Sequence, residues 1–229
     1  MGNFSKSPGT VLAANQTKGY VGIHIEQGVP VLDRDLNLMH DFLAAAVRSL
    51  LAKYIGDGVI GSGFLIQTLS PAANNFKINA GTALVGGIEA TFPAAINYSD
   101  QTGLPPLNGS GLTARQDVVF LDVSLSEVDG SVDPDLTNSD DVGVQTSVRD
   151  KLNRVVRVAE NTTVVPAPAA GHFHLALARI SRPVNNATIT PSMVVDLRKQ
   201  ILPLLDLTQL VRVLTSYGYG FTGINTGLI

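Results

Sequence analysis

The chain has 229 residues, of which 45% are hydrophobic, 15% are charged and none is cysteine. This length can bury a sizeable core, whereas the net charge of -3 provides no basic field for a phosphate backbone, and the missing cysteines exclude disulfides and thiolate metal sites. No apolar run reaches the ~18 residues of a membrane-spanning helix, and the N-terminus lacks the order of a signal peptide, so we expect no membrane insertion, no ordinary secretion and no nucleic-acid partner.

The first segment, residues 1–34, is predicted to be an extended N-terminal arm that leads into a first strand. Pro8, Gly9 and Gly19 interrupt any helix in this segment. Residues 20–28 alternate between two faces, which is typical of a short half-buried strand. Because the arm holds few apolar residues, we expect it to become ordered by lying on a neighbouring subunit.

The second segment, residues 35–56, is predicted to be one long amphipathic helix. Asp33 or Asp35 is expected to cap it, and Gly56 and Gly58 are expected to end it. Its apolar residues recur at spacings of three and four, which predicts a buried stripe and a strongly destabilising effect of an acidic substitution there. This stripe comprises Leu36, Met39, Leu43, Val47, Leu50, Leu51 and Tyr54.

The third segment, residues 61–199, is predicted to be a β domain. Short alternating runs are separated by loops rich in Gly, Pro, Ser and Asn, among them 99–115 and the acidic loop 129–143. The predicted fold class is mainly β with one long N-terminal helix (α+β), built as a β-sandwich or irregular barrel. The strands are expected at 63–69, 76–79, 82–85, 88–92, 117–125, 152–158 and 172–180.

The last segment, residues 200–229, is predicted to be an apolar C-terminal docking tail with a short helix after Pro203. Such a tail is too short to hold a core of its own. We expect it to pack on its own β domain or on another chain.

Three groups of residues could carry chemistry, and each has a simpler structural interpretation. His172 and His174 share one face of a predicted strand, but the sequence places no third metal ligand beside them. Asp33 and Asp35 could be paired acids, although helix capping and the helix dipole explain them better. The acidic loop could bind calcium, yet it lacks the Gly and the final Glu of a calcium-binding loop, so a solvated loop is favoured. Its carboxylates are Asp129, Asp133, Asp135, Asp140 and Asp141.

No nucleophile elbow, zinc-protease, P-loop or dinucleotide-binding motif occurs in the chain. We therefore expect no catalytic, cofactor-binding or metal-binding residues, no cofactor and no enzymatic activity.

Four phrases, taken in order, resemble a family of phage-tail and contractile-injection-system proteins. Residues 18–37 read KGYVGIHIEQGVPVLDRDLN and resemble the opening phrase of that family, although Leu36 stands where the family usually has an aromatic residue. The other phrases are FKINAGTALVGG at 76–87, QDVVFLDVSLSEV with DPDL at 116–136, and HLALARI with ITPSMVVDLR at 174–198. The matches in the opening phrase are Tyr20, Gly22, Gln27, Gly28, Leu32, Asp33, Asp35 and Asn37.

The resemblance implies a structural subunit, either a baseplate component or a tail-fibre adaptor, without an enzymatic site. It implies other baseplate or tail proteins as partners, assembly in the bacterial cytoplasm and a place in a virion or tail-like particle. The low charged fraction also suits a chain that buries surface in partners, and we expect a homo-oligomer, with a trimer favoured.

Two alternatives belong to other classes of protein. One is a carbohydrate- or receptor-binding β-sandwich module of a tail fibre, whose aromatic stacking residues would come from Tyr217, Tyr219 and Phe221. The other is a small hydrolase, which the missing motifs disfavour.

Overall fold

The computed structural model describes residues 9–138, 144–145, 147–201 and 212. Two helices precede the strands: α1 is Gly9–Thr17, and α2 is Asp33–Leu50, which continues into a π-helical turn at Leu51–Ile55. We call residues 9–55 the helical hairpin, since α1 packs against α2. The two buried side chains of α2 are Leu38 and Phe42.

The prediction for the N-terminal segment is wrong in its local structure. Residues 9–17 are helical, and residues 20–32 belong to no strand. Helix α1 ends where Gly19 takes a positive φ of 80° and the Tyr20 amide bonds back to the Asn15 carbonyl, 3.1 Å away. The alternation over 20–28 is real, but a strand also needs a ladder partner, and the described part of this chain offers it none.

The long helix lies where it is predicted, and its end at Gly56 is confirmed. Gly56 has a φ of 78°, and its amide bonds to the Leu51 carbonyl at 3.0 Å. The predicted cap is wrong, because the N-cap residue is Leu32 and makes no side-chain cap bond. Asp33 and Asp35 lie inside the first turn instead, where their charges favour the positive end of the helix dipole.

Three sheets and one small hairpin form the β domain. The first sheet, in the order β1-β4-β5, contains Gly58–Val59, Gly81–Val85 and Ile88–Phe92. The second, in the order β2-β3-β6, contains Ile66–Thr68, Phe76–Ile78 and Ile96–Asn97. The largest, in the order β10-β7-β11-β12, contains Arg149–Ala159, Arg115–Val128, His172–Arg182 and Val194–Asp196. The small hairpin pairs β8, Thr137–Asn138, with β9, Val144–Gln145.

Strand β7 is the centre of the largest sheet and pairs antiparallel with both β10 and β11. Its residues from Asp117 to Ser124 are buried on both faces. Val119, Leu121 and Val123 face one core that also receives side chains from the two smaller sheets. The alternate residues Phe120 and Asp122 face the opposite side of the sheet.

The core explains why the seven predicted strands fall close to their expected positions. Each run places its apolar side chains on one face, and the three sheets bury those faces together. The mainly β class with one long helix is therefore confirmed, while the sandwich or irregular barrel stays a prediction. The docking tail lies outside the described residues beyond Ile201, apart from Arg212.

Within the described ranges, neither helix combines the length and the apolar character that crossing a membrane requires.

Candidate functional site

A buried carboxylate, Asp122, gathers three basic side chains on the outer face of the largest sheet. It comes from the middle of β7, and His172 and His174 come from β11, whose register places His174 opposite Asp122. The His172 Nδ1–H donates to Asp122 Oδ1 at 2.7 Å, and the Arg157 Nε–H donates to Oδ2 at 2.8 Å. The His174 Nε2 lies 3.5 Å from Oδ1.

Two further contacts position the ring of His174. Its Nδ1–H donates to the Pro166 carbonyl at 2.9 Å, and its ring lies 4.6 Å from the ring of Phe120. Burial by itself raises the pKa of Asp122, but the hydrogen bonds from His172 and Arg157, with the nearby charges of both histidines, outweigh burial and lower that pKa below its ordinary value. The carboxylate is therefore kept ionised by its neighbours.

These contacts hold both histidine rings against β7. The structure brings His172 and His174 together, as predicted, and adds a carboxylate that the sequence did not place beside them. The bonds to His172 and Arg157 engage both oxygens of Asp122. In the described part of the chain, no group of three or more His, Cys, Asp or Glu side chains is placed to hold a metal ion.

A second buried carboxylate, Asp117, ties the start of β7 to the end of β11. The Arg182 Nε–H donates to Asp117 Oδ2 at 2.8 Å, and both side chains are fully buried. The backbone amide of Asn161 donates to Oδ1 at 2.9 Å, and Arg115 Nε lies 3.0 Å from the same oxygen. The pair is therefore a structural connection inside the sheet.

Arg115 extends this network to the loop that precedes β7. Its Nη2 lies 3.2 Å from Glu160, and Glu160 accepts from the amide and the side chain of Asn108 at 2.9 and 3.0 Å. Burial raises the pKa of Glu160, but the bonds from Asn108 and the charge of Arg115 lower it overall. An open cleft of about 750 Å³ lies beside Arg115 and Arg182, whose charges already pair with Asp117 and Glu160.

The carboxylates of the acidic loop are used in local turns. Asp129 accepts from the amide and hydroxyl of Ser131 at 3.1 and 2.5 Å, and Asp133 accepts from the amide of Asp135 at 3.2 Å. Asp140 and Asp141 lie outside the described residues. The described half of this loop therefore has a turn-forming role.

The predicted burial of the helix stripe is wrong. All six side chains of what we call the apolar stripe are exposed, and their exposed fractions range from 39% at Met39 to 81% at Tyr54. The face with Leu38 and Phe42 is the one that packs inside the chain. The apolar stripe consists of Leu36, Met39, Leu43, Val47, Leu50 and Tyr54.

The linker between α1 and α2, residues 18–32, is equally apolar and equally exposed. Val21 is 90% exposed, and the linker has no secondary structure apart from the turn at 18–19 and a turn near Gly28. The linker and the apolar stripe thus contribute twelve exposed large apolar side chains within residues 20–54. The exposed members in the linker are Tyr20, Val21, Ile25, Val29, Val31 and Leu32.

The Asp122 cluster was not predicted from the sequence, because the strand register determines which side chains come together there. The alternation of β7 assigns Asp122 to a face, but only the pairing of β7 with β11 and β10 brings it to His172 and Arg157. A polar residue in the middle of an otherwise apolar strand was the available signal, since such residues are buried only with partners.

Comparisons with known proteins do not assign this chain to a family. No protein-family model and no curated protein matches the chain. Among solved structures, a crystal structure of TssK is similar to 72% of this chain, with 11% sequence identity and a TM-score of 0.42. The match spans only 39% of the TssK chain, and a likeness at this level decides neither fold nor function.

Proposed function

We propose that this protein is a structural subunit of a phage tail-like contractile particle, as a baseplate component or a tail-fibre adaptor. It works by protein–protein assembly without catalysis, and it joins the particle in the bacterial cytoplasm. The observation that carries this proposal is the unpartnered apolar surface of residues 20–54 on a chain whose β domain is otherwise well packed.

The physical support is the amount of exposed apolar surface in this part of the chain. A typical monomer has a largest apolar patch of roughly 300–600 Å². The apolar stripe alone exposes on the order of 600 Å², and the linker adds six further large side chains. A chain with this much exposed apolar surface is stabilised by partners that remove it from water.

The sequence phrase at 18–37 supports the same proposal from another direction. It is the most specific phrase of the resemblance to contractile-tail proteins, and it falls on the exposed linker and the first turn of α2. Its apolar residues, such as Val21 and Ile25, contribute little to packing within the chain. Contact with a partner gives a reason for their presence that the fold of a single chain does not.

The linker also suits strand addition. Residues 21–26 alternate in sequence and lie in no strand, which suits pairing of their backbone with the edge of a partner's sheet. In contrast, the buried carboxylates Asp117 and Asp122 are engaged by arginine and histidine, which favours a structural role for both polar clusters.

Incorporation into particles tests the proposal. We expect the full chain to copurify with sheath, tube and baseplate proteins, and Val21→Asp to abolish incorporation while leaving the circular dichroism spectrum unchanged. Leu112→Asp is the matched control, because Leu112 is 87% exposed in a loop of the β domain. Failure of the parent chain to associate with any tail protein contradicts the proposal, and specific binding in a glycan screen then favours the receptor-binding alternative.

A further inference from the structure

We propose that the apolar stripe of α2 binds the same stripe of a second copy of this chain, with the two helices side by side and parallel. This inference rests on the proposed function as an assembly subunit and names the partner of one of its surfaces. A different face of α2 is already used within the chain, because Leu38 and Phe42 are buried and α1 packs against α2. The stripe is therefore the face that remains for a second chain.

The spacing of the stripe residues is typical of a helix that packs against a second helix. Leu36, Leu43 and Leu50 recur every seven residues, and Met39 and Ala46 fall between them at offsets of three. This pattern runs from Leu36 to Leu50, about two heptads of α2, and it ends before the π-helical turn, where Lys53 stands at the next offset of three. Val47 and Tyr54 widen the stripe on one side.

The charges beside the stripe favour a copy of the same helix in parallel orientation. None of the six stripe residues is charged, so parallel pairing places apolar side chains opposite apolar side chains. Asp35 and His40 lie on opposite borders of the stripe. In a parallel pair, Asp35 lies five positions before His40 of the second copy, which is the spacing of flanking interhelical pairs, and the contact joins an acid to a base rather than two like charges.

The exposed area is sufficient for a stable contact. Two copies of the stripe would together remove on the order of 1,200 Å² from water, which is the lower limit of a standard protein–protein interface. The geometry also leaves the approach open, because every residue of the stripe from Leu36 to Leu50 is exposed. Most of the ~27 Å length of α2 is therefore accessible to another chain.

The main competing occupant is the C-terminal segment of the same chain. Ile201 bonds to Val59 at 2.8 Å, which places the start of that apolar segment close to the end of α2. Such a segment would cover the stripe within one chain and leave the protein monomeric. The two possibilities differ in mass and in the connectivity of crosslinks, so both can be measured.

The first experiment measures the mass of the purified full chain by size-exclusion chromatography with light scattering. We expect two or three times the mass of one chain, 24.1 kDa, and a single-chain mass for Leu43→Glu and Leu50→Glu with an unchanged circular dichroism spectrum. The control Leu112→Glu should keep the parent mass. A single-chain mass for the parent overturns the proposal, and so does a Leu43→Glu variant that keeps the parent's mass.

The second experiment uses the absence of native cysteine. Leu43→Cys should form a covalent dimer on oxidation, because parallel packing places the same residue of both copies together, whereas Leu112→Cys should not. In the double variant Leu43→Cys/Leu207→Cys, a bridge within one chain overturns the proposal in favour of the C-terminal segment. Recruitment to particles is measured separately with Val21→Asp, so failure of self-association leaves the proposed function standing.

Discussion

The β domain and the helical hairpin of this protein differ in how much of their apolar surface is buried. In the β domain, side chains of three sheets, such as Phe76, Val85 and Leu121, are fully buried in one core. In the hairpin, the helix buries Leu38 and Phe42 and leaves the six side chains of the apolar stripe exposed. The difference teaches that, among the described residues, the apolar side chains of the helical hairpin are left exposed to a far greater extent than those of the β domain.

The polar groups follow the same division. The β domain buries two carboxylates, Asp117 and Asp122, and surrounds each with arginine or histidine. In the hairpin, Arg34 and Asp35 form an exposed pair at 3.6 Å, which contributes little to stability. Substitutions should therefore have large effects on folding in the β domain and large effects on association in the hairpin.

The largest effect on folding is expected for Asp117→Ala. This change leaves the fully buried Arg182 without its carboxylate partner, and breaking a buried ion pair in this way costs about 3–5 kcal/mol. Urea unfolding followed by circular dichroism measures the loss. Glu89→Ala, at an exposed position of β5, is the control and should change stability by less than about 0.5 kcal/mol. Equal effects of the two substitutions would contradict the buried role of Asp117.

Replacing one leucine by alanine in each region compares their contributions to stability directly. Leu121→Ala should lower the free energy of unfolding by about 2–5 kcal/mol at every protein concentration, because it opens a cavity in the core. Leu43→Ala should lower the melting temperature only at concentrations where the chain associates, since mass action links association to stability. Thermal melts over a dilution series measure both. A concentration-independent loss for Leu43→Ala would place that side chain in the core of one chain.

A substitution at Gly87 should disturb the contact between the β domain and the end of α2. Its φ is +74°, and a Cβ there would collide with the backbone of Arg48 in α2. Gly87→Ala should cost about 1–3 kcal/mol through strain and displacement of the helix end. Gly103→Ala separates the two causes, because Gly103 has a φ of +79° but no neighbour within 4 Å. If both variants lose the same stability, the contact with Arg48 contributes nothing measurable.

A smaller effect, of about 1 kcal/mol, is expected for Asp122→Asn, since Arg157 and His172 are partly solvated. The folded-state pKa of Asp122 is lowered by its partners, so its stabilisation is present above the ordinary value of 3.8 and is lost as the pH falls through the lower folded value. Urea midpoints between pH 7 and pH 2 should therefore fall less steeply on the acid side for Asp122→Asn than for the parent. Identical acid profiles would contradict the lowered pKa.

The sequence was sufficient to predict most of the β domain. Strands such as Ile88–Phe92 begin and end at glycine turns and alternate clearly, so both their limits and their buried faces follow from local chemistry. The helix Asp33–Leu50 was likewise predictable from its spacing. Local patterns of this kind predict the structure correctly because the tertiary fold favours the same local conformations.

What the sequence did not reveal depends on distant parts of the chain or on other chains. The periodicity of α2 identifies an apolar face, but not whether its partner lies in the same molecule. The alternation at 20–28 failed for the same reason, because a strand needs an edge to pair with. The Asp122 cluster depended on the register between β7 and β11, which no short segment encodes.

Hydrogen exchange of the full chain over a dilution series tests the difference between the two regions most directly. We expect the amides of β7 to be strongly protected at every concentration, because both faces and both edges of that strand are covered. The amides of α2 should exchange rapidly in dilute solution and become protected as the chain associates, since a helix of this length is only marginally stable without packing. Strong protection of α2, equal to that of β7 and independent of concentration, would contradict the conclusion that the helical hairpin needs a partner.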